Sequence, residues 1–397
     1  MDCYDLVQCS FCYECLEGTN LYHSTFCQNC HASSSLQFCR DCTNCQYCFG
    51  CVGLRNKQYC IYNQPVEKSE YEALISAIDP KVAQQKAMKL SLEFPYRNLE
   101  TVNIQHSCGD RLTDCNHCSL CFICQDSEHE KYFTIGQHNK DCQDCDFGDH
   151  AQLQYDSANL ETNFNILWGN LVRYCSDGYY LTVCFNSKHC FGCVGLKQHE
   201  YCILNKQYTK EEYEVLVPQI IEQMQKTGER GEFFHPSLSP FGYNETIANE
   251  YYLIEKADSR SQEWNTFSQL GYRWSDFSSD PKIPENASFL YPAKMTDEEW
   301  KNFVHDEGVL TKIIICEESN RPFFIQKSEL AFYRKMGLPL PKQHPDVRHI
   351  QRMKQRPGRT LHLRSCDKCQ KEMLSVYPVG DAKKVYCEEC YQQEVYG

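Results

Sequence analysis

Four cysteines near the C-terminus have the spacing of a closed metal site. Cys366 and Cys369 form one CxxC, 17 residues intervene, and Cys387 and Cys390 form a second. Four thiolates complete a tetrahedral shell around Zn²⁺ and leave no position for substrate, so the chemistry expected is structural metal binding, not catalysis. The intervening KEMLSVYPVGDAKKVY suits a β-hairpin turning near Gly380 and Asp381, and YQQEVY suits a short helix, the layout of a zinc ribbon. Its 37 residues bury little core, so metal would supply folding energy. The competing readings are a reversible disulfide pair and coincidence.

A second group of thiols fills the N-terminal half. CTNCQYCFGCVGL (Cys42 to Leu54) and CNHCSLCFIC (Cys115 to Cys124) suggest metal clusters. A ferredoxin-type cluster needs C-x2-C-x2-C-x3-C-P. Here the last gap is two residues, and Val52 follows Cys51. A close echo, CFNSKHCFGCVGL (Cys184 to Leu196), carries Ser187 where the first copy has Cys45. That change removes a ligand but is mild in a packed interior. Buried structural thiols are therefore favoured, with bound Zn or Fe–S and disulfides as the alternatives.

The third set is cationic. Asp346 could cap a helix carrying Arg348, Arg352 and Arg356 at i, i+4 and i+8. From Lys342 to Lys371 there are nine Lys or Arg and two Asp, a net of +7, which leaves −20 for the other 367 residues of a −13 chain. An arginine face beside a zinc ribbon could lie along phosphates of RNA or a ribonucleoprotein, dock on protein or on the acidic N-terminal half, or stay solvated. Just upstream, Cys316, Ser319, His344 and Val347 occupy the four positions of a second finger with only two ligating residues, a degenerate module expected to fold on apolar packing.

The elements that position these groups follow from a period of three. The first twelve cysteines, Cys3 to Cys60, all fall on multiples of three, and the eleven from Cys115 to Cys202 all leave remainder one. The other residues in phase are mostly small or aliphatic, such as Leu21, Ser33, Leu36, Gly169 and Leu181. Three fits neither an amphipathic helix nor a flat strand. It fits a narrow β-solenoid in which every third side chain points inward and sulfur fills the interior. A coil of 12 residues is favoured over one of 18. Capping helices are expected at Ser69, with Glu72, and at Thr209, with Glu212, each covering outer aromatics such as Phe26, Tyr47 and Tyr59.

The fold class expected is mainly β with α: Cys-lined solenoid units A (1–63) and B (104–206), a helical segment (64–103), a helix and linker (207–245), a small α+β region (246–307), the degenerate module with its basic helix (308–360) and the zinc ribbon (361–397). The opening MDCYDLVQCSFC reads as the middle of a repeat without a secretory signal, so upstream residues and a cytoplasmic location are expected. The sequence contains no 18-residue apolar run for a membrane span. It lacks a phosphate loop, a Rossmann glycine motif, a nucleophile elbow and HExxH, so no catalytic residues are assigned and an enzyme is disfavoured.

The phrase ELAFYRKMGLPLP (Glu329 to Pro341) resembles a zinc-ribbon, treble-clef domain of bacterial proteins, where a CxxC stands on either side of it. The repeats ending CFGCVGL and YCI, together with these C-terminal modules, resemble a wider bacterial Cys-rich repeat family without an established activity. The resemblance implies the architecture and no reaction. The function expected is a non-enzymatic zinc-binding scaffold with one structural Zn²⁺, its C-terminal module and Arg348, Arg352 and Arg356 contacting RNA or protein. The alternative is a thiol-redox or multi-metal (Zn or Fe–S) protein using the CxxC arrays.

Overall fold

The computed structural model describes residues 1–114, 119–124, 134–136, 140–143, 146–149, 152–252, 254, 262–277 and 280–396. The side chains of the cysteines from Cys115 to Cys145 lie outside that description. The chain is mainly β with α-helices.

Short parallel strands build the N-terminal half. Tyr4–Val7, Leu16–Thr19 and Gln28–His31 form one sheet, and Ser10–Tyr13, Tyr22–Thr25, Ser34–Gln37, Gln46–Phe49 and Gln58–Ile61 a second. Partners lie twelve residues apart, as in Tyr4↔Leu16, Ser10↔Tyr22 and Gln46↔Gln58. Phe164↔Ser176 and Ser176↔Lys188 keep the same step in the later repeats. The repeat is therefore 12 residues and not 18. The register shifts at a bulge, where Cys108 pairs with Ser119, eleven residues on, and Gly109 with Cys121, twelve on.

A left-handed residue precedes each in-phase position. Asp2, Asp5, Gln8, Phe11, Glu14 and Glu17 have φ between 50° and 55°, and the recurrence runs on to Tyr62 and, in the other phase, from Thr162 to Leu204. Gly50, Gly53, Gly192 and Gly195 of the two FGCVGL stretches occupy such slots. Most others hold residues for which this backbone costs about 1 kcal/mol or more. Ladder bonds made by the same residues offset that cost: the N–H of Phe26 donates to Tyr13 O (2.9 Å) and that of Phe38 to Thr25 O (3.0 Å).

Both arrays end alike. Tyr62-Asn63 and Leu204-Asn205 are left-handed pairs that turn the last strand into an antiparallel hairpin. The Asn63 amide then closes the open edge, accepting the Val52 N–H (2.8 Å) and donating to Val52 O (2.8 Å). Asn205 does the same to Val194.

Helices α1 (Lys68–Ser76), α2 (Pro80–Glu93) and α3 (Lys210–Thr227) follow the arrays. Thr209 and Glu212 form the expected capping box. Ser69 is not a cap: α1 starts at Lys68 behind Glu67, which makes no side-chain cap. The stronger signal, Asp79 before Pro80, starts α2, where the carboxylate accepts the N–H groups of Lys81 and Val82. Tyr71 of α1 meets the stacked Tyr47–Tyr59 pair edge-on, as Tyr213 of α3 meets the stacked His189–Tyr201 pair.

Farther on, Ser288–Leu290, Lys312–Ile315 and Pro322–Phe323 form a sheet. It shares a core with Trp300, Tyr333 and Leu340, and Trp300 Nε1 donates to Leu340 O (2.7 Å). Helix α4 (Lys327–Met336) ends at Gly337, φ 65°. Helix α5 (Pro345–Met353) is capped by His344, whose Nδ1 accepts the Asp346 N–H, so Asp346 itself is not the cap. Among the described residues no helix is long and apolar enough to cross a membrane.

Candidate metal centre

Two tight turns and a helix start bring the C-terminal thiols together. Strands His362–Ser365 and Glu372–Ser375 pair antiparallel, and Cys366 opens the turn between them. Its N–H donates to Lys371 O (2.9 Å), and its carbonyl accepts the N–H of Gln370 (2.9 Å), a left-handed residue with φ 62°. The second pair sits at the N-terminus of α6 (Glu388–Val395), with Cys387 as N-cap and Cys390 in the first turn. Asp367 ties the halves together, accepting the Val385 N–H (2.7 Å) and bonds from Arg364. The module joins the rest of the chain through Val385–Tyr386, which pairs with Tyr96–Arg97.

The sulfurs of Cys366, Cys369, Cys387 and Cys390 all lie within 4.8 Å of one another. Cys369 and Cys387 are 3.7 Å apart. Zn–S bonds of about 2.3 Å at tetrahedral angles put sulfurs about 3.8 Å apart, so the donor set fits a metal ion. Burial pushes the Cys366 thiol up, but hydrogen bonds from the backbone N–H groups of Cys369, Cys387 and Lys368 outweigh it and hold the thiol at about 6. Four sulfurs this close cannot all ionise without a cation among them.

Cys316 heads a turn of the same shape without that donor set. Its N–H donates to Arg321 O (3.0 Å), and its carbonyl accepts from Asn320 (3.1 Å), which is left-handed at φ 56°. The apolar cluster around Trp300 and Tyr333 packs this turn, and buried His344 serves α5 as its cap.

The thiols of the arrays sit differently. The described cysteines are free, and most are buried. Each inward thiol serves the backbone. Cys51 is typical: its S–H lies 3.4 Å from both Phe49 O and Cys60 O, and its sulfur accepts the Asn63 N–H at 3.3 Å. Cys193 repeats this with Phe191, Cys202 and Asn205. Other in-phase residues take the same post. Ser33 Oγ accepts from Cys45 N–H (2.9 Å), Ser157 Oγ from Gly169 (2.8 Å), Ser187 Oγ from His199 (3.2 Å), and Asn163 Oδ1 from Cys175 (2.8 Å). This explains Ser187: a hydroxyl fills the same small space and answers the same N–H. Among the described residues, the C-terminal four are the group of three or more potential ligands gathered closely enough to hold an ion.

Arg348, Arg352 and Arg356 face acids of the chain itself. Arg348 Nη1 donates to Asp2, Arg352 Nη1 to Glu14 (2.8 Å) and Arg356 Nε to Glu17 (3.2 Å). Arg348 and Arg352 are 6% and 5% exposed. Asp2 and Glu14 are twelve residues apart, so a helix face meets neighbouring repeats. In this arrangement the three side chains are not presented to RNA or an outside protein, because acids more than 330 positions away in sequence already engage them.

Sequence reasoning missed a chamber of about 400 Å³ where the first array, the segment before Leu112 and the C-terminal module meet. Arg40, Arg55, Arg97 and Arg111 line it, with Glu17, Asp41, Glu100 and four tyrosines, Tyr96, Tyr377, Tyr391 and Tyr396. Arg111 is bonded to Glu17, and Arg40 pairs with Asp41 (2.6 Å) and stacks over Tyr96 (3.7 Å). The Glu100 side chain is 46% exposed and lies 3.9 Å from Arg111 Nε. No short motif marks the site, because its walls come from three separate segments. No protein-family model matches the chain, and no curated protein matches it.

Proposed function

We propose that the protein is a non-enzymatic, zinc-stabilised scaffold. On this reading the twelve-residue repeats wind into narrow β-solenoids with sulfur-lined interiors. The C-terminal module is a treble-clef-like zinc ribbon, and one Zn²⁺ held by Cys366, Cys369, Cys387 and Cys390 supplies its folding energy. The observation that carries the reading is the mutual approach of those four sulfurs within 4.8 Å. The arginine helix acts as an internal clamp, joining the degenerate finger to the first repeats through Asp2, Glu14 and Glu17. A partner, RNA or protein, is met by other surfaces. Solvent-reachable, reactive thiols would be needed for the rival thiol-redox role, and most of the described array thiols are buried and bonded to carbonyls.

X-ray absorption at the zinc edge of the purified chain tests the site. The expected result is four sulfur scatterers at about 2.3 Å. A shell of nitrogen or oxygen donors, or iron in a sulfur environment, would remove the reading.

A further inference from the structure

We propose that the chamber between the first array and the C-terminal module binds an organic phosphate of mononucleotide size, with Arg55 and Arg97 at the phosphate and Glu100 facing the base. This goes beyond the scaffold reading and does not depend on which metal the module holds.

The volume, about 400 Å³, falls in the range of small-molecule sites and is too small for a folded partner. The wall is charged and aromatic, so an apolar ligand is excluded. Three guanidinium groups reach it from separate segments: Arg55 from the first array, Arg97 from the strand beside the metal module, and Arg111 from the start of the second array. Their planar forks suit oxyanions. A phosphate oxyanion can accept N–H bonds from two such groups at once.

Arg111 is held by Glu17, with Asp5, Glu100 and Asp110 within 4 Å, whereas Arg55 and Arg97 each keep a free N–H edge among the described residues. Arg55 donates through Nη1 to the carbonyls of Asp41 and Leu54 and through Nη2 to the Tyr396 hydroxyl, leaving Nε unbonded among the described residues. Arg97 uses Nε for Glu388 and Nη2 for Thr101 O (2.6 Å), leaving Nη1. The Glu100 side chain is 46% exposed and 3.9 Å from Arg111 Nε, so its carboxylate can accept N–H bonds from a ligand. An exocyclic amine or ring N–H of a nucleobase supplies such donors. Tyr391 and Tyr396 of the metal module add aromatic rings to the same wall. A ring, N–H donors and an oxyanion on one small molecule describe a nucleotide.

The test uses the full metal-loaded chain, titrated calorimetrically with AMP, GMP, CMP, UMP, the matching nucleosides, inorganic phosphate and benzoate. At least one nucleotide is expected to bind roughly ten-fold or more tightly than its nucleoside and than inorganic phosphate. Arg55→Gln should remove most of the gain from the phosphate and leave nucleoside binding unchanged. Glu100→Gln, a change at an exposed carboxylate, should alter the order of preference among bases without affecting inorganic phosphate, and it keeps the test decisive if Arg55→Gln fails to fold. No binding of any nucleotide at millimolar concentration would overturn the proposal. So would equal affinity for inorganic phosphate, tighter binding of benzoate, or base preferences untouched by Glu100→Gln.

Discussion

Replacing Cys51 distinguishes a sulfur that only fills space from one that also bonds the backbone. Its side chain is 0% exposed, and its sulfur accepts the Asn63 N–H at 3.3 Å, at the turn that closes the first array. Cys51→Ser keeps an acceptor and a donor in a slightly smaller volume, so the expected cost is within about 1 kcal/mol. Cys51→Ala leaves the half-buried Asn63 N–H without its sulfur acceptor, up to about 1–3 kcal/mol, and adds a small cavity. Cys51→Val leaves the same orphan and also overpacks a tight interior, about 1–3 kcal/mol more, for a total of about 2–6 kcal/mol. Urea unfolding of the three variants, followed by far-UV circular dichroism with reductant present, gives the order of midpoints. Serine mildest, then alanine, then valine is expected. An interior that used sulfur purely as an apolar filler gives a different order, with serine worst because a hydroxyl is buried and valine tolerated. That outcome would falsify the backbone-bonding role.

Other consequences follow from the same geometry. Arg352→Ala strands Glu14 in a buried setting and should cost about 3 kcal/mol or more by chemical unfolding, whereas Arg352→Met with Glu14→Leu should recover much of it; equal losses would contradict a buried pair. Among the described residues the buried hydroxyls of Tyr71 and Tyr213 have no hydrogen-bond partner, so Tyr71→Phe and Tyr213→Phe should leave the melting temperature unchanged or raise it, by up to about 1 kcal/mol of stability. A loss in both would mean that the hydroxyls are paired.

The repeats were legible because the buried positions recur every third residue and hold mostly Cys, Ser, Gly and aliphatic side chains. The turn conformation left no such trace. Phe26, Tyr59, Trp168 and Val183 are left-handed, which no local preference of those residues predicts, since the surrounding ladder imposes it. The change of cysteine phase was visible, but the bulge between Cys108 and Gly109 needed the pairing. The four metal-site cysteines were readable from spacing alone, because each knuckle is local. The arginine face was readable as a face but not in its direction. Its acids, Asp2, Glu14 and Glu17, lie at the other end of the chain, and the choice between phosphate and carboxylate depends on a contact no single segment encodes. The chamber failed to appear for the same reason.

The account divides the cysteines into four that hold a metal and a larger set that forms the interior as free thiols. Counting metals per chain by elemental mass spectrometry on the purified protein tests that division directly. About one equivalent of zinc and no iron is predicted. Several equivalents of metal, or any stoichiometric iron, would place ions among the array thiols and contradict it; a chain with no bound metal would contradict the C-terminal site.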